Sequence, residues 1–153
     1  MSGIDARLAE LGITLPEVSA PAGAYVPAII SGNLVFTAGQ LPFVDGVLPA
    51  TGKLGAEVSA DDAKVYARTA ALNGLAAVAS VIGSLDRITR IVKVVGFVSS
   101  DPAFTGQPGV INGASEVLGE IFGEAGKHAR SAVGVAVLPL NSPVEVELIV
   151  EFA

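Results

Sequence analysis

Arg130 opens a run in which a long cation alternates with very small side chains. Successive residues of a strand face opposite sides of a sheet, so Arg130 shares a face with Ala132, Gly134 and Ala136. A guanidinium presents paired donors that match a carboxylate. The spacing predicts one wall of a small anion pocket with a floor of Ala and Gly. The alternative is an edge arginine in a surface ion pair.

A row of carboxylates follows on the last predicted strand. Between residues 144 and 152, Glu145, Glu147 and Glu151 alternate with apolar residues, which is typical of a half-buried strand. A glutamate can orient or deprotonate water, and several together can hold Mg²⁺ or Ca²⁺. No spacing here fixes the geometry of a metal site, so a solvated acidic face is the alternative.

Composition removes several kinds of chemistry. The chain has no cysteine and one histidine, which excludes disulfides, thiolate zinc sites, a cysteine nucleophile and a metal site of several histidines. Phosphate-cradling glycine patterns and a nucleophile-elbow serine are also missing. We therefore expect neither a metal nor a cofactor.

Charge and hydropathy bear on partners and location. The formal net charge is −6, with 51% hydrophobic and 16% charged residues. A nucleic-acid binder needs a basic face, so this class is disfavoured. The apolar excess predicts a buried subunit interface. No unbroken apolar run reaches the length of a membrane span, and no secretory signal is evident, so we expect a cytoplasmic protein without a membrane partner.

The elements that position these residues follow from periodicity. We predict one domain over residues 1–153, with an additional N-terminal helix within residues 1–15. The predicted order is β-β-α-β-α-β-β, an α+β fold whose mixed sheet carries two long helices on one face. Val133, Val135 and Val137 are predicted to face the core. The predicted elements are strands 24–31 and 33–38, helix 59–82, strand 87–98, helix 109–122, and strands 129–138 and 144–152, with a loop over 41–59 that is either a lid, an interface arm or ordinary surface.

Several segments together resemble the RidA (YjgF) family of enamine/imine deaminases. ARSAVGVAVLPLNSPVEVE, from Ala129 to Glu147, is similar to the family's C-terminal signature. PAGAYV, from Pro21, resembles its tyrosine-bearing segment. GNLVFTAGQLP, from Gly32, resembles its second strand with a Ser-Gly-Gln-x-Pro ending. Asn112 lies in the expected helix, and the resemblance spans about residues 16–152.

The resemblance implies a fold, an assembly and a reaction. The fold would be chorismate-mutase-like, and the protein a homotrimer whose sheets line a central barrel, with ligand pockets between subunits. The enzyme would be a hydrolase of 2-imino acids, such as 2-iminopropanoate and 2-iminobutanoate, and of their enamine tautomers. Water adds to C=N, ammonia leaves, and a 2-oxoacid remains. No cofactor is implied.

The resemblance also implies roles for single residues. Arg130 would clamp the substrate carboxylate, and Glu145, six residues after the proline of the Leu-Pro pair, would handle the attacking water. The substrate-binding positions would be Tyr25, Gly39, Asn112 and Ala132, with His128 beside them. We predict that His128 lines the pocket mouth and changes substrate preference; an exposed histidine at the strand end is the alternative.

Two departures from the family pattern keep a second function open. Ala38 replaces the family serine beside Gly39, and Ala132 replaces a common cysteine. The alternative function is a non-catalytic trimeric binding module for a small carboxylate metabolite, with a regulatory or stabilising role. Retention of both Arg130 and Glu145 favours catalysis, because binding alone requires only the arginine.

Overall fold

A computed structural model, which describes residues 3–153, contains three α-helices and a five-stranded sheet. The helices are α1 (Gly3–Glu10), α2 (Ala60–Ile82) and α3 (Gln107–Phe122), and the strands are β1 (Ala28–Ser31), β2 (Leu34–Thr37), β3 (Ile88–Ser99), β4 (Ala129–Val135) and β5 (Val144–Phe152). Short 3-10 helices occupy Leu85–Arg87, Gly123–Gly126 and Pro139–Asn141.

The sheet is mixed, as predicted, with the strand order β1-β2-β5-β3-β4. Only the β3–β4 pair is parallel among these neighbours. Helices α2 and α3 pack against each other and against one face of the sheet. Strand β5 lies at its centre and has the predicted alternation, because Val144, Val146, Leu148 and Val150 are buried in the core. The α+β prediction is confirmed.

Helix α2 is a core helix with clear ends. Ser59 caps its N-terminus by accepting a hydrogen bond from the Asp62 amide at 3.2 Å. Gly83 ends it with φ 88°, and its backbone N–H donates a hydrogen bond to the Ala79 carbonyl. The helix is long and apolar enough to cross a membrane by length and composition, but 56% of that window is buried inside the fold. Its hydropathy therefore reflects packing in the core.

Helix α3 packs very closely against helix α2 and strand β3. A Cβ on Gly113 would overlap the backbone carbonyl oxygen of Lys64 in α2, and a Cβ on Gly96 of β3 would overlap the side chain of Ile111. These contacts leave α3 no room to move toward either neighbour. The helix begins at Gln107, two residues before the predicted start, because Pro108 suits the first turn.

The prediction that the face carrying Val133, Val135 and Val137 belongs to the core was wrong. Val133 and Val137 are 45% and 61% exposed, and Val135 is only partly buried. Ala132 packs on the core instead. Strand β4 is an edge strand, so its small residues fit beneath α3, whereas its valines lie on the sheet face that no helix covers. We call this face, which also carries Ile29 and Phe36, the open face.

The two additional segments are attached to the fold. Helix α1 buries Leu8, and the Arg7 side chain donates to the carbonyl of Glu120 at 2.8 Å, beside the end of α3. In the 41–59 loop, Leu54 is fully buried and its amide donates to the Ser99 carbonyl at 2.8 Å. Leu54 therefore anchors the second half of this loop to the core.

Candidate functional site

Arg130 is held beneath α3. It is half-buried, and its Nη1 donates to Oδ1 of Asn112 at 2.7 Å and to Oγ of Ser115 at 3.2 Å. Asn112 and Ser115 are three residues apart, so they lie on the same side of the helix. Edge strand β4 brings Arg130 to this side because its neighbours on that face, Ala132 and Gly134, are small enough to let α3 approach.

His128 extends this group by one more side chain. Its Nε2 lies 2.9 Å from Ser115 Oγ, and its Nδ1 lies 2.6 Å from the Gly126 carbonyl oxygen. Asn112, Ser115, His128 and Arg130 are called the arginine cluster below. Ser115 was missed from the sequence, although its place one turn after Asn112 in the predicted helix was a usable signal.

The guanidinium of Arg130 keeps unused donors. Among residues 3–153 it forms no ion pair with a carboxylate. Nη1 carries both hydrogen bonds that Arg130 donates to this part of the chain, so Nε and Nη2 remain without an acceptor there. The Nε–Nη2 edge has the fork geometry that binds a carboxylate through two parallel hydrogen bonds.

Glu145 forms a second group with Gly39 and Glu147, which we call the carboxylate cluster. A Cβ on Gly39 would lie 2.7 Å from the carboxyl carbon of Glu145, so only glycine leaves the carboxyl group its place. Gly39 is fixed next to Gln40, which exchanges two backbone hydrogen bonds with Val146. Burial raises the pKa of Glu145, and the charge of Glu147 raises that pKa further.

The two clusters lie on opposite faces of the sheet. Arg130 points toward α3, whereas Glu145 alternates with the buried Val144 and Val146 and therefore points away from the helices. The structure of the single chain brings Arg130 together with Asn112 and His128, and Glu145 together with Gly39. It does not bring Arg130 and Glu145 together.

Tyr25 and Ala132 complete the predicted positions. Tyr25 lies in the bend before β1, is 51% exposed, and accepts a hydrogen bond from the Ala22 amide at 3.1 Å. Ala132 lies two residues after Arg130 and is paired with Gly96 of β3. Within residues 3–153, no group of three or more His, Cys, Asp or Glu side chains could hold a metal ion.

Comparison with known proteins shows which family the chain resembles. Residues 5–152 match the family described as "YjgF/chorismate mutase-like, putative endoribonuclease". The chain is 44% identical over 149 residues to Protein TCP17 of Trypanosoma cruzi, covering 97% of this chain and 93% of that protein. It is 32% identical over 140 residues to the 2-iminobutanoate/2-iminopropanoate deaminase of Escherichia coli, covering 89% and 94%.

A solved structure gives the same result for the fold. The crystal structure of the protein Atu1372 with unknown function from Agrobacterium tumefaciens has a TM-score of 0.91 and 46% sequence identity to this chain. The match covers 98% of this chain and 92% of that one.

Proposed function

The chain belongs to the YjgF/RidA family, and we propose that it is an enamine/imine deaminase. Its substrates would be 2-imino acids such as 2-iminopropanoate and 2-iminobutanoate, hydrolysed to 2-oxoacids and ammonia without a cofactor. The observation that carries this proposal is Arg130. It is half-buried, held by neutral partners, and its Nε–Nη2 edge has no acceptor among residues 3–153. A 2-imino acid supplies the missing carboxylate.

Arg130 acts by orientation in this proposal. A bidentate hydrogen bond to the carboxylate fixes both the position and the plane of a small planar imino acid. The imine carbon is then presented in one orientation to water, which is catalysis by positioning. Asn112, whose Oδ1 is already bound to Arg130, retains its amide donors for the ligand.

Glu145 is the general base that activates the attacking water in this proposal. It takes a proton as water attacks the C=N carbon, and that proton is available for the departing ammonia when the carbinolamine collapses. A carboxylate with a raised pKa is a stronger base than an ordinary glutamate, so it takes the proton of the attacking water more readily. Gly39 would contribute its backbone beside the carboxyl group.

A homotrimer would bring the two clusters together. The open face exposes Ile29, Phe36 and Val133 at 59%, 38% and 45%. An exposed apolar patch of this kind is typical of a protein–protein interface, and Glu145 lies on the same face. We propose that three open faces enclose the centre of the trimer and that the arginine cluster of one subunit meets the carboxylate cluster of the next, with the exposed Tyr25 beside them. The cytoplasm, where soluble dehydratases produce imino acids, is the proposed location.

Imine hydrolysis by purified protein tests the proposed reaction. A serine or threonine dehydratase generates the imine in place, and release of 2-oxoacid is followed with and without this protein. We expect wild type to accelerate release of the 2-oxoacid. Arg130→Ala should reduce this acceleration at least about 100-fold, because the substrate is no longer oriented. Folded Arg130→Ala protein that retains full acceleration would contradict the assigned role.

The assembly is tested separately by light scattering. We expect a mass of three times 15.3 kDa for wild type. Val133→Glu places a charge on the open face and should give monomers. Val65→Glu is the matched control, because Val65 is 59% exposed on α2 and lies outside this face. A folded wild-type monomer would contradict the trimer.

A carboxylate-binding module is the second candidate function. The observation that favours it is the pair Ala38 and Ala132, which removes a hydroxyl and a thiol that many family members place beside the ligand. In that case wild type would not accelerate imine hydrolysis, but 2-oxobutanoate would still raise the Tm of wild type and not that of Arg130→Ala. The same two proteins therefore separate the two functions.

A further inference from the structure

We infer that Ser115 and His128 are positioning residues that orient Arg130 for its carboxylate ligand. The inference deepens the proposed function and rests on it for the identity of the ligand. It concerns four side chains, His128, Ser115, Arg130 and Asn112, in which each is within hydrogen-bond distance of the next; we call this series the relay. Neither Ser115 nor His128 needs to touch the ligand.

The direction of each hydrogen bond follows from the chemistry of its ends. The Gly126 carbonyl can only accept, so Nδ1 of His128 carries the proton at 2.6 Å. The Nε2 of a neutral ring is then an acceptor, and the Ser115 hydroxyl donates to it at 2.9 Å. This turns the lone pairs of Ser115 Oγ toward Nη1 of Arg130 at 3.2 Å. The Gly126 carbonyl therefore fixes the tautomer of the His128 ring. That tautomer in turn fixes the orientation of the Ser115 hydroxyl.

The far end of the relay fixes the guanidinium. Nη1 has two hydrogens, and Asn112 Oδ1 and Ser115 Oγ accept one each. With Nη1 occupied, the planar group cannot turn without losing both bonds, and the Nε–Nη2 edge is the one left for a ligand. Since guanidinium can only donate, the Asn112 atom at 2.7 Å is Oδ1, and its Nδ2 also remains a donor. This part of the site therefore offers only donors, which suits the oxygens of a 2-oxo or 2-imino acid.

The relay also specifies what His128 does. Both of its ring nitrogens are engaged within the subunit, so it acts through Ser115 and leaves ligand contact to Arg130. The predicted effect of His128 on substrate preference would then be indirect, through the orientation of the arginine.

Binding of 2-oxobutanoate by isothermal titration calorimetry tests the relay. Ser115→Ala and His128→Leu should each weaken binding about three- to tenfold, the worth of one ordinary hydrogen bond. Ser115→Thr keeps the hydroxyl and should bind within twofold of wild type. Ser80→Ala is the matched control, since it makes the same change in α2, outside the arginine cluster. Wild-type affinity in both Ser115→Ala and His128→Leu would overturn the inference.

A double-mutant cycle separates positioning from a general structural role. Lysine lacks Nη1, so Ser115→Ala should have no further effect on 2-oxobutanoate binding in an Arg130→Lys background. An equal loss in both backgrounds would mean that Ser115 does not act through Arg130, and the inference would fail.

The ring itself can be observed directly. His128 is the only histidine of the chain, so its ¹⁵N resonances need no assignment. We expect the proton at Nδ1 in both wild type and Ser115→Ala, because the Gly126 carbonyl, and not Ser115, fixes the tautomer. A ring protonated at Nε2 would contradict the relay.

Failure of the inference and failure of the proposed function give different results. If wild type binds 2-oxobutanoate but does not hydrolyse imines, the deaminase proposal fails and the relay is still tested by binding. If wild type hydrolyses imines and neither relay variant changes affinity, the reaction stands and the relay is wrong.

Discussion

The arginine cluster has an excess of hydrogen-bond donors, whereas the carboxylate cluster has an excess of negative charge. Arg130 has more donors than the acceptors that residues 3–153 supply, and the partners in this part of the chain are neutral. Glu145 is partly desolvated beside a second carboxylate, and no cation of residues 3–153 is paired with it. Each cluster lacks what the other has in excess. In the proposed trimer, a ligand or a second copy of the chain would complete both clusters.

The largest difference between the clusters should appear on removing the charge of Glu145. We expect Glu145→Gln to lower kcat for imine hydrolysis about 10²- to 10⁴-fold, because general base catalysis is lost. The Kd of 2-oxobutanoate should stay within about twofold, because the carboxylate is bound at the other cluster. Arg130→Ala should instead increase the Kd of 2-oxobutanoate. Steady-state kinetics gives kcat for each variant, and calorimetry gives Kd.

The pH profile sharpens this assignment. Burial and Glu147 raise the pKa of Glu145, and only the ionised form accepts a proton. The kcat of wild type should therefore rise with pH through that raised pKa, while Glu145→Gln should show no such limb. The same acidic limb in both proteins would assign it to another group.

A smaller effect is expected from crowding Glu145 without changing its charge. In Gly39→Ala the new Cβ would lie 2.7 Å from the Glu145 carboxyl carbon, so the carboxylate must move. We expect kcat to fall about ten- to a hundredfold, since misplacing a catalytic group by about 1 Å has effects of this size.

Gly119→Ala is the control for this substitution. Gly119 has open space around its Cβ position and lies in α3. The Kd of 2-oxobutanoate should not change in either variant. Equal kcat values in the two variants would show that the position of Glu145 is unimportant.

The smallest effect concerns stability. A carboxyl group whose pKa is raised on folding favours the folded state when protonated, and that contribution is lost as pH rises through the raised pKa. At pH 7 Glu145→Gln should therefore increase the free energy of unfolding, by less than about 1 kcal/mol because the group is partly solvated. The gain should shrink toward pH 4.5.

Glu57 provides the opposite case. It accepts a hydrogen bond from the Lys53 amide at 2.9 Å, and this bond lowers the pKa of Glu57. Glu57→Gln should therefore not stabilise the protein at pH 7. Thermal melts of both variants between pH 4 and 8 would test the pair, and stabilisation by both would mean that reducing net charge is the cause.

The elements with strong periodicity could be predicted from the sequence. Helix α2 was recognised from its apolar stripe, its Ser59 cap and its terminal Gly83, and β5 from its alternation. These signals are local, because cap, period and stop lie within one element. The strand predicted over residues 129–138 was too long, since the observed strand ends at Val135. There the Ser100 amide donates a hydrogen bond to the Val135 carbonyl.

The orientation of β4 could not be predicted from that strand alone. Large β-branched residues on one side normally indicate the core, but Val133 is exposed because β4 is at the sheet edge and α3 needs small residues beneath it. The arginine cluster was found in part, through Arg130, Asn112 and His128. Its connection through Ser115 depends on how α3 is rotated against β4, which is a tertiary property.

That rotation is set by a residue with no side chain. The hydrogen of Gly113 faces the Lys64 carbonyl, in a gap where a methyl group does not fit. Gly113 lies between Asn112 and Ser115, so the angle at which α3 presents both is determined on the opposite side of the helix, at its seam with α2. If the arginine cluster binds a ligand as proposed, substitutions in α2, a helix that contributes no residue to either cluster, should change ligand preference.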